Sequence, residues 1–194
     1  SETPFLSSGI GGILHIASGY SRRFEEVILQ VPKGRSLKGI NVSANRGQTT
    51  IINASLENAT LNTNSYLLRI EGSRIKNSKL TTPNIVNIFD TDLTDSQLES
   101  TEHHFHAENI KVYGKVELSS KNALSIMLTQ KESQEINLDL SSHHGPIYQL
   151  SRDESQRHPN ELSNPYKTEK TDAKGQLIAK ADDYISLETT ANRP

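Results

Sequence analysis

Aliphatic residues recur through the middle of the chain at five-residue steps, and each pair recurs again about 19 residues later. Residues 53–63, "NASLENATLNT", are echoed by 72–82, "GSRIKNSKLTT", and again by 90–100, "DTDLTDSQLES". The second aliphatic position runs Val42, Leu61, Leu80, Leu98, Val116 and Ile136, at intervals of 19, 19, 18, 18 and 20 residues. The first runs Leu37, Leu56, Ile75, Leu93 and Ile110. A third column follows Ile51, Ile70, Ile88, Ala107 and Ile126, and a looser fourth follows Leu68, Val86, Phe105 and Leu124.

An amphipathic helix would space its apolar positions by three and four, and it would avoid the Asn, Ser and Thr that fill these units. Short strands joined by corners satisfy the pattern. With one unit per coil, equivalent positions stack at the strand spacing of about 4.8 Å and each aliphatic column becomes an apolar ladder inside a solenoid. The expected fold is therefore all-β, a parallel β-helix of five to six rungs with a period near 19, on the order of 25–30 Å tall. Small residues precede the aliphatic ones by two, as Ala54, Ser73 and Thr91 and as Ala59, Ser78 and Ser96, which fits inward positions beside a tight corner. Asn58, Asn77 and Asp95 follow the first aliphatic residue by two; these residue types tolerate left-handed backbone, and stacked they predict a side-chain ladder at the corner.

The motif small-x-[Leu/Ile]-x-x in "ASLENATLNT", "SRIKNSKLTT" and "TDLTDSQLES" resembles the pentapeptide-repeat proteins over roughly residues 54–100. The resemblance implies a right-handed coil, here triangular and less regular than the quadrilateral type. It also implies a setting among β-helix domains of proteins that bacteria secrete into host cells without a cleavable signal peptide. Outside that span the motif decays. In "ENIKVYGKVELSS" the second aliphatic residue arrives six positions after Ile110, and in "SQEINLDLSS" the first is lost.

A solenoid must cover its open ends, whose unpaired strand edges would otherwise recruit other chains. Residues 1–33 are expected to form the N-terminal cap, with Ser21 as a helix N-cap and Glu25 and Glu26 in the first turns; "VILQV" reads equally as a first strand. The β-helix is expected over 34–150. Residues 151–194 open with a charged, proline-bearing stretch that reads as a polar tail, linker or pinned loop, with 176–187, "QLIAKADDYISL", docking as a final strand or helix.

Composition narrows the function. The chain has 21 basic and 23 acidic residues and no Cys or Trp, which removes thiolate metal sites and gives no footprint for nucleic acid. No apolar run is long enough for a membrane span, and the N-terminal residues do not resemble a secretory signal. His104 and His106 form an H-x-H pair for a divalent metal if Glu102 or Glu108 converges, with His143 and His144 at a corner about two rungs away. Asp90, Asp92 and Asp95 invite comparison with a glycan-cleaving carboxylate cluster, but Asp92 is expected above Arg74 and Glu57 beside Lys76, the alternation of a solvated face. The leading expectation is a non-catalytic protein-binding or scaffold module without a cofactor, its partner contacting Arg74, Lys76 and Asp92. The alternative is a metal-dependent or carbohydrate-active protein using the histidine corners.

Overall fold

The computed structural model describes residues 14–17, 25–29, 40–43, 47–151 and 158–191, with side chains described from Gln48 onward. Among these the chain forms nineteen strands and one short helix. They begin with β1 (Leu14–Ala17), β2 (Glu25–Leu29), β3 (Ile40–Ser43), β4 (Gly47–Ile52), β5 (Ser55–Glu57), β6 (Thr60–Thr63), β7 (Leu67–Glu71), β8 (Arg74–Lys76) and β9 (Lys79–Thr82). There follow β10 (Ile85–Thr94), β11 (Gln97–Ser100), β12 (Phe105–Ser120), β13 (Leu124–Thr129) and helix α1 (Gln130–Glu135). The chain closes with β14 (Ile136–Ser142), β15 (Ile147–Ser151), β16 (Asn160–Leu162), β17 (Tyr166–Lys167), β18 (Gly175–Ala181) and β19 (Ile185–Thr190). No helix among the described residues is long and apolar enough to cross a membrane.

The architecture is a parallel β-helix, and its coil is triangular. A wide face stacks β2, β4, β7, β10, β12, β13, β19 and β15; a short face stacks β5, β8, the end of β10 and the middle of β12. The return face stacks β1, β3, β6, β9, β11, the end of β12, β18 and β14. Side chains alternate in and out along each strand, so one face of every strand supplies the core. On the wide face Leu68, Val86, Phe105, Leu124, Ile185 and Ile147 pile up in register, each 0–1% exposed. Beside them run Ile51, Ile70, Ile88, Ala107, Ile126 and Leu187.

The other two columns follow expectation only up to Leu93 and Leu98. Leu93 stacks on Val112 rather than Ile110, and Leu98 on Leu118 rather than Val116. At the lower end the backbone register pairs Leu61 with Ile40 and Thr63 with Val42; Leu37 lies outside the described residues. At the upper end Ile136 stands level with Gly175, and Leu140 holds the column position beyond Ala179. A slip of two residues keeps every side chain on its own face, so apolar patterning alone does not distinguish the two registers.

Internal hydroxyls hold the corners. Ser73 accepts the Ala54 N–H at 3.2 Å and donates to the Glu71 carbonyl at 2.9 Å, while Ser78 accepts from Ala59 at 3.0 Å and donates to Lys76 at 2.8 Å. Thr91 and Ser96 repeat both bonds one level up. The small residues thus do more than fit; they satisfy corner amides that no strand can reach. Next to them the backbone is left-handed at two columns. One is the predicted set Asn58, Asn77 and Asp95, continued by Gly114, with Asn77 Nδ2 donating to Asn58 Oδ1. The other, not anticipated, is Asn53, Gly72, Asp90 and Asn109, with Asn109 Nδ2 donating to Asp90 Oδ1 at 2.6 Å. At Gly114 the φ is +62° and a Cβ would stand 2.0 Å from Asp95 Oδ1, so the aspartate side chain fills the place a side chain would take.

At both ends the strand alternative of the sequence reading holds, as Glu25–Leu29 at one and as β18 and β19 at the other. Glu25–Leu29 is a strand paired in parallel with 47–51, so Glu25 and Glu26 do not lie in a helix; Ser21 is outside the described residues. The docking segment expected at 176–187 supplies two strands that lie inside the solenoid rather than beyond it. β18 lies between β12 and β14 and β19 between β13 and β15, so the boundary expected at 150 does not hold. The polar stretch before them covers the upper edge. β16 and β17 pair antiparallel with β15 and β14. Asn164 bonds the Ser142 backbone at 2.8 and 3.1 Å, Thr168 Oγ1 accepts from Leu138 N at 2.8 Å, and Asn137 Oδ1 accepts from Lys170 N at 2.6 Å. This cap is mostly polar because it chiefly saturates backbone groups, with Leu162 and Tyr166 packed against the core.

Candidate functional site

The residues expected to meet a partner lie together on the short face. Its inward residues Leu56, Ile75, Leu93 and Val112 are 0–1% exposed, which fixes the alternate positions outward. One outward column is Ser55, Arg74, Asp92 and Lys111; the other is Glu57, Lys76, Thr94 and Tyr113. The stacking of Asp92 over Arg74 and of Lys76 over Glu57 is as the repeat spacing predicts. Arg74 Nε stands 4.0 Å from Asp92 Oδ2, with 79% of the arginine side chain exposed. All of these outward residues except Lys111 line a shallow depression bounded above by Tyr113.

The top of this face holds a cluster that the sequence did not reveal. Among the described residues the short face gains no further strand after β12; α1 lies across its edge. Thr129 caps the helix by accepting the Glu132 N–H at 3.1 Å. Glu132, 4% exposed, accepts the Val112 N–H at 2.7 Å and the Lys174 ammonium at 2.6 Å. Lys174 Nζ also lies 3.0 Å from Glu135 and 4.7 Å from the Tyr113 ring centre, a cation–π contact. Burial works against the charge on Lys174, but its hydrogen bonds to Glu132 and Glu135 raise its pKa overall. The Lys174 hydrogen bond holds the Glu135 carboxyl below its usual range. Gly175 follows because a Cβ there would lie 2.7 Å from the Val112 carbonyl oxygen. Glu132 and Lys174 are 42 residues apart, and nothing in their local sequence announces the pair.

The histidines sit elsewhere. Phe105 is buried in its column as expected, and His106 points outward, with Nε2 3.3 Å from Glu108 Oε2 and its ring 5.8 Å from that of Phe89. His104 is exposed at a corner, where its carbonyl accepts the Val86 N–H. His143 and His144 pack edge to face at 4.1 Å. Two levels separate the clusters, carrying Lys121 with Asn122 and then Asp182 with Asp183, because the C-terminal strands intervene. The separation is therefore three level steps, about 14 Å, rather than two. No group of three or more His, Asp or Glu donors converges on a metal position among the described residues. Lys121 Nζ and Asp182 Oδ2 meet at 2.7 Å; that bond raises the lysine pKa and lowers the aspartate's. Of the three aspartates weighed for glycan chemistry, Asp90 is bonded to Asn109, Asp92 faces Arg74, and Asp95 accepts the Lys115 N–H at 3.0 Å.

A family model described as Toastrack DUF4097 matches residues 2–188. The chain belongs to the Toastrack DUF4097 family. No match is found among curated proteins or among solved structures. The family assignment overturns the pentapeptide-repeat resemblance, because Toastrack is a different β-solenoid and no pentapeptide-repeat family is found. The geometry of this Toastrack chain shows where the likeness fails. Ile110 and Val116 occupy the positions held by Thr91 and Ser96 one level below, so the five-residue motif lapses before the solenoid ends.

Proposed function

We propose that this chain is a non-catalytic protein-binding or scaffold module whose partner docks on the short face around Arg74, Lys76 and Asp92. The observation that carries the reading is the state of Arg74. Its guanidinium stands over a fixed sheet, mostly in solvent and only loosely engaged by Asp92 at 4.0 Å. A charge presented on a rigid support gives a partner an oriented contact at little ordering cost. The carboxylates that chemistry would need are committed to structure: Glu132 to Val112 and Lys174, Asp95 to Lys115, Asp90 to Asn109. The host-injected setting came only with the pentapeptide resemblance and forms no part of this proposal.

The test is affinity capture with the immobilised chain and a double variant, Arg74→Glu with Lys76→Glu, beside Lys115→Glu on the return face as a comparison. Proteins held by the native chain and by Lys115→Glu, and lost from the double variant, support the reading. Their retention by the double variant, with its circular dichroism unchanged, contradicts it.

A further inference from the structure

The final strands enter the stack out of chain order. β18 pairs in parallel with β12 below (Val116↔Leu177, Leu118↔Ala179) and with β14 above (Leu138↔Leu177, Leu140↔Ala179). β19 lies likewise between β13 and β15. On leaving β13 the chain therefore skips a level through α1, lays down β14 and β15, caps the edge, and only then fills the level it passed over. The slot has two walls of strand edge. Its filler is buried at its apolar inward positions, with Leu177, Ala179 and Ile185 at 0% and Leu187 at 2% exposure. Around the rim the filler is held by polar contacts, Lys121 to Asp182 at 2.7 Å and Lys174 to Glu132 at 2.6 Å.

We propose that the slot between β12–β13 and β14–β15 also accepts the β18–β19 segment of a second copy, giving a dimer in which the two chains exchange their closing strands. The two walls recognise a pattern: an extended segment with Leu, Ala and Ala on one face, a corner, then Ile and Leu. Nothing in that pattern requires the segment to come from the same chain. Once β16 and β17 are released from β15 and β14, the 23 residues between Ser151 and Gly175 reach about 75 Å when extended, ample to cross to a neighbour. Every strand pairing that β18 and β19 make within one chain is reproduced between two, and reciprocal exchange closes on itself as a two-fold dimer. Concentration decides between the forms. A tethered segment experiences an effective concentration on the order of millimolar, so closure within one chain prevails at micromolar protein and exchange rises toward millimolar. The choice is made during folding, because the buried filler leaves its slot slowly once seated.

The native chain has no Cys, so a paired substitution reports the connection cleanly. Ser119 and Lys180 are register partners across β12 and β18, and Thr81 and Glu99 are partners across β9 and β11. Full-length Ser119→Cys/Lys180→Cys is unfolded, refolded at about 5 µM and at about 1 mM, oxidised, and resolved on a non-reducing gel. The expected result is a cross-linked monomer at the lower concentration and at least a tenfold larger fraction of disulfide-linked dimer at the higher. Thr81→Cys/Glu99→Cys should stay a cross-linked monomer at both. Monomer alone at both concentrations overturns the proposal. So does an equal rise of dimer with the Thr81 and Glu99 pair, which would mark general aggregation.

Discussion

Glu132 Oε1 accepts the backbone N–H of Val112 at 2.7 Å, so a carboxylate closes the short face where the next strand would have done so. Its second oxygen takes Lys174, and the helix carrying it is fixed to the edge by the same group. Removing one partner of a buried ion pair strands the other and also orphans an amide. Glu132→Ala should therefore cost about 3 kcal/mol in urea unfolding. Glu132→Gln, which keeps an acceptor for Val112 but loses the charge opposite Lys174, should lose roughly half as much. Equal stability of all three chains would show that the edge does not depend on this side chain.

The same contacts set the response to pH. Glu135 and Asp182 are held below their usual range by hydrogen bonds from Lys174 and Lys121. A carboxyl depressed in this way contributes stability that is present above its unfolded pKa and is lost as pH falls through the folded value. Lys121 is raised chiefly by its bond to Asp182; Lys174 is raised by Glu132 and Glu135 against the opposing effect of burial. Those contributions are present below the unfolded lysine pKa and vanish as pH rises through the folded one. The melting temperature should be flat between about pH 5 and 10 and fall on either side. In Lys121→Met the difference from the native chain should be small, since the pair is exposed, and should disappear as pH falls through the lowered Asp182 value. A difference that grows on acidification would reverse the assignment.

Corner hydroxyls carry a separate expectation. Ser73→Ala and Ser78→Ala each leave a buried amide, that of Ala54 or Ala59, without its acceptor. Each should cost about 1–2 kcal/mol by chemical denaturation, whereas Thr60→Ala on the exposed neighbouring position should cost under about 0.5 kcal/mol. Indistinguishable losses at the three sites would argue that the small residues serve only to fit the corner.

Much of the fold was legible because the wide face repeats without interruption from Ile51 to Ile126 and from Leu68 to Leu124. The short face became ambiguous where apolar Ile110 takes the place of Thr91, and the return face where the corner after Tyr113 gains one residue, since a two-residue slip exchanges Ile110 for Val112 and Val116 for Leu118 with no change of facing. The second left-handed column was readable and overlooked: Asn53, Gly72, Asp90 and Asn109 recur at 19, 18 and 19 residues. The position of β18–β19 was not readable. A repeat register orders segments by chain position, and Leu177 takes its place below Leu138 through pairing that sequence order does not encode. For the same reason the stacking of Arg74 with Asp92 was foreseen, and the Glu132–Lys174 pair was not.

Strand β18 separates β12 from β14 by a full level. Glu117 pairs with Ile178, and Ile178 with Asp139, which puts Glu117 and Asp139 two levels, about 9.6 Å, apart. Disulfide formation under mild oxidation at low protein concentration measures this directly, because a bridge needs Cα atoms within about 7 Å. Glu117→Cys/Ile178→Cys should close almost completely, and Glu117→Cys/Asp139→Cys should remain reduced. Ready closure of the Glu117 and Asp139 pair would place β14 directly on β12 and contradict the inserted level.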